Sequence, residues 1–202
     1  LNQINDFERN YCSENAAMWY TEDSFLCRLL NQSLRIETID SIVKMRYYIY
    51  DLHNELAQLQ LQQFDNQTNL ILYRGQPMKI DYLNELRENY DGHISFNSFT
   101  SATEDLDVAF MFSGDGTTTS PDEVSVIFEM SIDTNIRSTP FARIRSTKPD
   151  EQEILFSMGG VFRIGEINDV PSHPGVHCIK LKLEHLEDEL WNKLTKHLDR
   201  FH

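Results

Sequence analysis

Three short segments of this 202-residue chain carry residue types whose spacing suits chemistry. In Tyr73-Arg74-Gly75 an arginine ends an apolar stretch and a glycine follows it. A guanidinium there presents a rigid fork of donors suited to a diphosphate or a carboxylate, and Gly75 lets a ligand approach the backbone. A strand-end arginine paired with a core carboxylate explains the same residues. In Phe99-Thr100-Ser101-Ala102-Thr103-Glu104, hydroxyls gather at an expected strand-to-helix junction. Ser101 and Glu104 have capping-box spacing, and Thr103 is an alternative cap, so helix capping competes with a role for Ser101 as a hydrogen-bonding positioner. No paired His or Lys base marks Ser101 as a nucleophile. In Asp150-Glu151-Gln152-Glu153-Ile154-Leu155-Phe156, two glutamates two residues apart lead into an apolar stretch. In an extended chain they project to one face and raise each other's proton affinity, a cost that either a function or plain exposure to water accounts for.

These segments need elements to hold them. Residues 13–63 read as helical: Thr21, Glu22 and Asp23 form an expected helix start, with Phe25, Leu26, Leu29 and Leu30 on one face. A longer helix is expected from about Thr38, where Ile42, Met45, Ile49, Leu52, Leu56 and Leu59 recur at spacings of three and four. From Asn69 the pattern changes to short apolar runs between turns. Strands are expected at 70–74, 93–99, 124–132, 153–158, 161–167 and 176–183. Helices are expected at 79–89, 101–112 and about 184–200, with an irregular stretch at 133–150. Helices first and many strands later predict an α+β fold with a largely antiparallel sheet. The chain reads as one domain over 1–202, with a helical subdomain at 1–65 and a sheet core with a closing helix at 66–202.

Composition narrows the function classes. There are 32 acidic against 18 Lys and Arg residues, a net charge of −14, 40% apolar residues and only 14 Gly and Pro, which fits a folded domain with a real core. An acidic surface without Lys/Arg clusters disfavours nucleic acid and anionic lipid as partners. No apolar run approaches the roughly 20 residues that span a bilayer, and the polar opening segment lacks a leader's apolar core. Cys12, Cys27 and Cys178 are odd in number and lack metal spacing, so buried free thiols are expected, and with them a cytoplasmic rather than a secreted setting. The sequons at Asn31 and Asn66 keep secretion open. The histidines show no zinc-like pairing, so no metal is expected.

Taken in order, Tyr73-Arg74-Gly75, Ser101-Ala102-Thr103 and Glu151-Gln152-Glu153 resemble the arginine, Ser-Thr-Ser and Glu-x-Glu signature of the mono-ADP-ribosyltransferases, in particular the arginine-modifying subgroup with its vertebrate ecto-enzymes and clostridial binary toxins. The resemblance spans about Leu70 to Ile167 and includes Ser95-Phe96-Asn97-Ser98-Phe99, Val108-Ala109, Phe112 and Ile154-Leu155-Phe156. It departs at Ala102, where the family has a threonine, and at Thr103, where it has a serine. The resemblance implies two packed, mainly antiparallel sheets with flanking helices and a cleft for NAD as co-substrate. It implies transfer of ADP-ribose to arginine side chains of an acceptor protein by a monomer, with NAD hydrolysis and catalytically inactive partner binding as the alternatives. Arg74, Ser101, Glu153 and Glu151 are the implied catalytic residues. Arg74, Gly75, Ser101, Thr103, Phe112 and Glu153 are the implied NAD-binding ones, although a phenylalanine at the end of a helix is expected to lie in the core. The loop 145–150 corresponds to the family's acceptor-presenting loop, and 113–121 to the loop near the phosphates and nicotinamide.

Overall fold

The computed structural model describes residues 2–21, 25–35, 39–65, 68–118, 120–145 and 152–185. The N-terminal third is helical: α1 (Asn2–Asn10), a 3-10 turn (Ser13–Asn15), α2 (Ala16–Thr21), α3 (Phe25–Arg35), α4 (Ile39–Lys44) and α5 (Arg46–Gln63). Thr21 closes α2, its hydroxyl donating to the Met18 carbonyl, and so does not open the following helix. The long helix expected from Thr38 is broken at Met45, which is buried among its neighbours while the chain turns between α4 and α5. The rest comprises β1 (Asn69–Lys79), α6 (Ile80–Glu88), β2 (His93–Phe96), β3 (Thr100–Thr103), α7 (Leu106–Ser113), β4 (Glu123–Asp133), β5 (Phe141–Arg145), β6 (Gln152–Phe156), β7 (Gly160–Asp169) and β8 (Val176–Leu183). Strand β5 lies within the stretch expected to be irregular. The expected closing helix lies outside the described residues beyond His185, and Glu184 and His185 are not helical.

The strands form one hydrogen-bonded sheet in the order β2-β7-β8-β4-β1-β3-β6-β5, antiparallel except for the β4–β8 pair. Where two sheets were expected, the ladder is continuous, but its joint is narrow. Strands β1 and β3 meet only at Tyr73 opposite Thr103, whereas β1 and β4 pair along their full length. Strands β3, β6 and β5 thus form a three-stranded flap hinged on a single residue pair.

Both faces of that flap are covered, and this fixes its side-chain alternation. Ala102, Phe141, Ile154 and Phe156 enter the main core with Leu72, Phe128, Phe162 and Leu181. From the opposite face Ile144 and Leu155 join Trp19, Tyr20, Leu30, Leu52 and Leu56 of the helical region. Helix α5 also satisfies the sheet's outer edge: the Gln63 side-chain amide donates to the Arg143 carbonyl at 3.0 Å and accepts from its backbone N–H at 2.7 Å, completing β5 as another strand would. The Gln60 amide donates to the Ile136 carbonyl at 2.9 Å in the turn before β5.

Candidate active site

Two of the chemistry-bearing segments converge at the narrow joint, together with one end of the third. Thr103 is the register partner of Tyr73 on one side and of Glu153 on the other, so Arg74, Ser101, Thr103 and Glu153 gather on three adjacent strands. They line a cleft of about 800 Å³ with Tyr73, Gly75, Val108 and Phe112, a volume within the range of small-molecule sites. Glu151, the other glutamate of the third segment, and residues 146–150 of the loop before it lie outside the described residues.

Arg74 is not at a strand end. It sits in the middle of the eleven-residue β1, and its alternation mates are the buried Leu72 and the half-buried Gln76. Beyond the Tyr73–Thr103 pair the two strands part, and Arg74 reaches across: Nη1 donates to the Ser101 carbonyl at 2.8 Å and lies 3.4 Å from Ser101 Oγ, while Nε donates to Gln76 Oε1 at 3.3 Å. A part-buried guanidinium therefore marks the seam and fixes Ser101 beside it.

Residues 101–103 are strand and not the opening of a helix, because they pair with Leu155, Ile154 and Glu153 of β6. The helix starts after Asp105, whose Oδ1 accepts from the Asp107 N–H at 2.9 Å and caps it. Neither Ser101 nor Thr103 is the cap. Thr103 shapes the turn before it, its Oγ1 accepting from the Asp105 N–H at 3.0 Å. Glu104 does not complete a capping box either. Its carboxylate takes Arg143 Nε at 2.8 Å and Nη2 at 2.7 Å across β6, and the same guanidinium lies 4.5 Å over the Phe64 ring. The signal for this start was in the sequence: an aspartate directly before Leu106, with a second acid, Asp107, in the first turn and the apolar run Val108 to Phe112 after it.

The departure at Ala102 has a structural reason. Alternation turns Ser101 and Thr103 to the face of Glu153 and turns Ala102 the other way, where it is 5% exposed within the main core beside Ile154. Ala102 borders the cleft, but a hydroxyl there would point into the apolar packing of the core.

Gly75 is required by protein packing. A Cβ there would fall on the Ala109 carbonyl and stand 2.7 Å from the Ser113 backbone N, so the absent side chain lets α7 lie directly on β1. Ala109, Phe110 and Ser113 are buried in that contact, and Gly114 ends the helix in the left-handed conformation. Phe112, expected in the core, is 64% exposed on the cleft wall. The neighbouring loop is tied down by the Gly116 N–H donating to Ser125 Oγ at 3.1 Å, and the Phe110 ring of α7 stacks on His173 with centroids 3.7 Å apart.

One contributor was not read from the sequence. Tyr20 of α2 is buried behind the joint, its hydroxyl 2.9 Å from Asn31 Oδ1 and 3.3 Å from the Phe99 carbonyl. Burial first, then the Cys27 thiol, pushes its phenol well above the ordinary range; Asn31 opposes this, and the charges of Glu153 and Arg74 act on it in opposite senses. Nothing in the local sequence around Tyr20 marks this contact, which joins residues 79 apart. Asn31, the acceptor residue of one sequon, is a helical residue whose side chain is engaged with Tyr20 and Cys27, and Asn66 of the other lies outside the described residues. No disulfide joins the three cysteines, but against expectation Cys12 is exposed and Cys27 and Cys178 are only half-buried. Among the described residues no three His, Cys, Asp or Glu side chains gather as a metal site, and no helix is long and apolar enough to cross a membrane.

No protein-family model matches the chain, and no curated protein matches it by sequence. Solved structures do match. The ADP-ribosyltransferase Vis of Vibrio splendidus, in complex with agmatine, superposes with a TM-score of 0.53 at 22% identity, over 92% of this chain and 74% of Vis. HopU1, an ADP-ribosyltransferase of Pseudomonas syringae pv. tomato, gives 0.62 at 22% identity, over 91% and 81%. C3stau2 of S. aureus, with NAD, gives 0.57 at 14% identity, over 90% and 92%. These superpositions carry one conclusion: the chain has the fold of the bacterial ADP-ribosyltransferases.

Proposed function

We propose that the chain is an NAD-dependent mono-ADP-ribosyltransferase acting on arginine side chains of acceptor proteins, with nicotinamide released. The observation that carries this reading is the convergence of Arg74, Ser101, Thr103 and Glu153 on one cleft through the register of three adjacent strands. The cleft suits a dinucleotide in size and chemistry, with a part-buried guanidinium for phosphate or ribose oxygens, hydroxyls beside it and the exposed Phe112 ring for a flat aromatic base. The NAD and agmatine present in the matching C3stau2 and Vis structures support the same substrates for this chain.

Cleaving a nicotinamide–ribose bond places positive charge on the sugar, as glycoside hydrolysis does. Glu153 accepts a hydrogen bond from the ribose hydroxyl next to the reacting carbon, and that bond strengthens as the charge grows. Ser101, fixed through Arg74, holds the ribose or Glu153 in register. Glu151 serves the acceptor. A guanidinium with a pKa above about 12 stays charged, so it attacks only where a carboxylate orients it and takes a proton as the new carbon–nitrogen bond forms. The altered Ser-Ala-Thr triplet is no obstacle, because position 102 faces the core.

The Glu151→Gln variant tests the division of labour. Labelled-NAD assays are expected to show transfer to agmatine falling by roughly 100-fold or more, while NAD hydrolysis continues near the parent rate. Equal transfer by the variant and the parent would contradict the role given to Glu151. Hydrolysis with no transfer by the parent itself would make the chain an NAD glycohydrolase.

A further inference from the structure

The outer side of α7 carries apolar surface that the cleft does not use. Met111 is 79% exposed, next to Phe112 on the cleft wall, and Asp107 and Asp105 are exposed nearby. Helical spacing puts Val108 and Phe112 on the ridge that lines the cleft, and Asp107 and Met111 on the next ridge outward. The platform is fixed from below: Ala109, Phe110 and Ser113 are buried, and the helix backbone closes on Gly75. An isolated exposed methionine is ordinary. Here it adjoins an exposed phenylalanine at the mouth of a cleft, within a stretch of one charge sign. From 101 to 122 the chain carries Glu104, Asp105, Asp107, Asp115 and Asp122 and no lysine, arginine or histidine.

We propose that the Asp107–Met111 ridge of α7 docks the acceptor polypeptide, through a segment that carries a bulky apolar side chain and cationic residues close to the target arginine. This rests on the reading of the cleft as the transfer site. The apolar side chain packs on the adaptable Met111 thioether as the buried anchor, and the neighbouring cations meet Asp105 and Asp107, which favours encounter and orientation. A free guanidine such as agmatine is too small to reach both cleft and ridge, so its transfer is independent of Met111.

The test gives the intact chain NAD with agmatine, with the peptides Lys-Gly-Arg-Gly-Leu-Lys and Lys-Leu-Gly-Arg-Gly-Lys, and with the same two peptides carrying serine for leucine. At least one leucine peptide is expected to exceed its serine counterpart in kcat/KM by roughly five- to tenfold, mainly through KM, for partial burial of one leucine. That preference is expected to vanish in Met111→Ser and return in Met111→Leu, with agmatine transfer equal in all three proteins. Equal use of leucine and serine peptides by the parent, or a preference that survives Met111→Ser, would overturn the docking ridge while leaving the transfer reading intact. Absence of agmatine transfer by the parent would overturn the transfer reading, and the ridge with it.

Discussion

Arg74 and Ala102 show how far a single position's meaning depends on its register. The arginine was legible as a chemical group, but its partner was not, because the Ser101 carbonyl that it holds at 2.8 Å is 27 residues away and becomes reachable only where β1 and β3 part. The alanine looked like a lost hydroxyl in the sequence, since the family that the chain resembles has a threonine there. In a strand the middle residue faces opposite to its neighbours, so Ala102 borders the cleft while its side chain packs in the core. Restoring the family's residue with Ala102→Thr is accordingly expected to do harm. A hydroxyl buried without a partner costs about 1–3 kcal/mol, which urea unfolding measures as a lower midpoint, with no gain in transfer rate per folded molecule. A more stable or faster variant would show that position 102 serves the cleft.

At the scale of elements, the strands at 124–132, 161–167 and 176–183 and the helix at 79–89 were legible because their apolar periodicity is strong and turn residues bound them. Strands β3 and β5 were not. Hydroxyls at 100–103 favour caps in isolation, and 141–145 is short, so pairing with β6 decides both. The α7–β1 contact is the least visible from sequence, because it depends on a missing side chain. Gly75→Ala is expected to push α7 off β1 and to lower stability by about 1–3 kcal/mol, the usual cost of overpacking. Since α7 forms one wall of the cleft, the variant is also expected to raise the KM for NAD. An unchanged denaturation midpoint together with an unchanged KM would mean that α7 does not need the close approach seen at Gly75.

Across the whole molecule, the helical region and the sheet share one packed cluster, in which Leu52 and Leu56 of α5 meet Ala142, Ile144 and Leu155 of the flap. Gln63 and Gln60 tie the same helix to β5 and to the turn before it. The flap that carries Glu153 is thus braced from the side of the N-terminal helices, and this bracing positions a carboxylate at a joint made by one residue pair. Net charge of −14 gives the surface a field that repels a free dinucleotide, so the proposed reading assigns its capture to local donors at the seam, Arg74 foremost, and the same field favours a cationic acceptor. The most direct measurement is product formation from labelled NAD with agmatine present, followed as free nicotinamide and as ADP-ribosyl-agmatine, for the parent and for Glu153→Ala. The parent is expected to form both products in step, and Glu153→Ala to lose both by roughly 100-fold or more while still folding. Undiminished products from Glu153→Ala, or a folded parent that yields neither, would contradict the assignment of this cleft as the site of transfer.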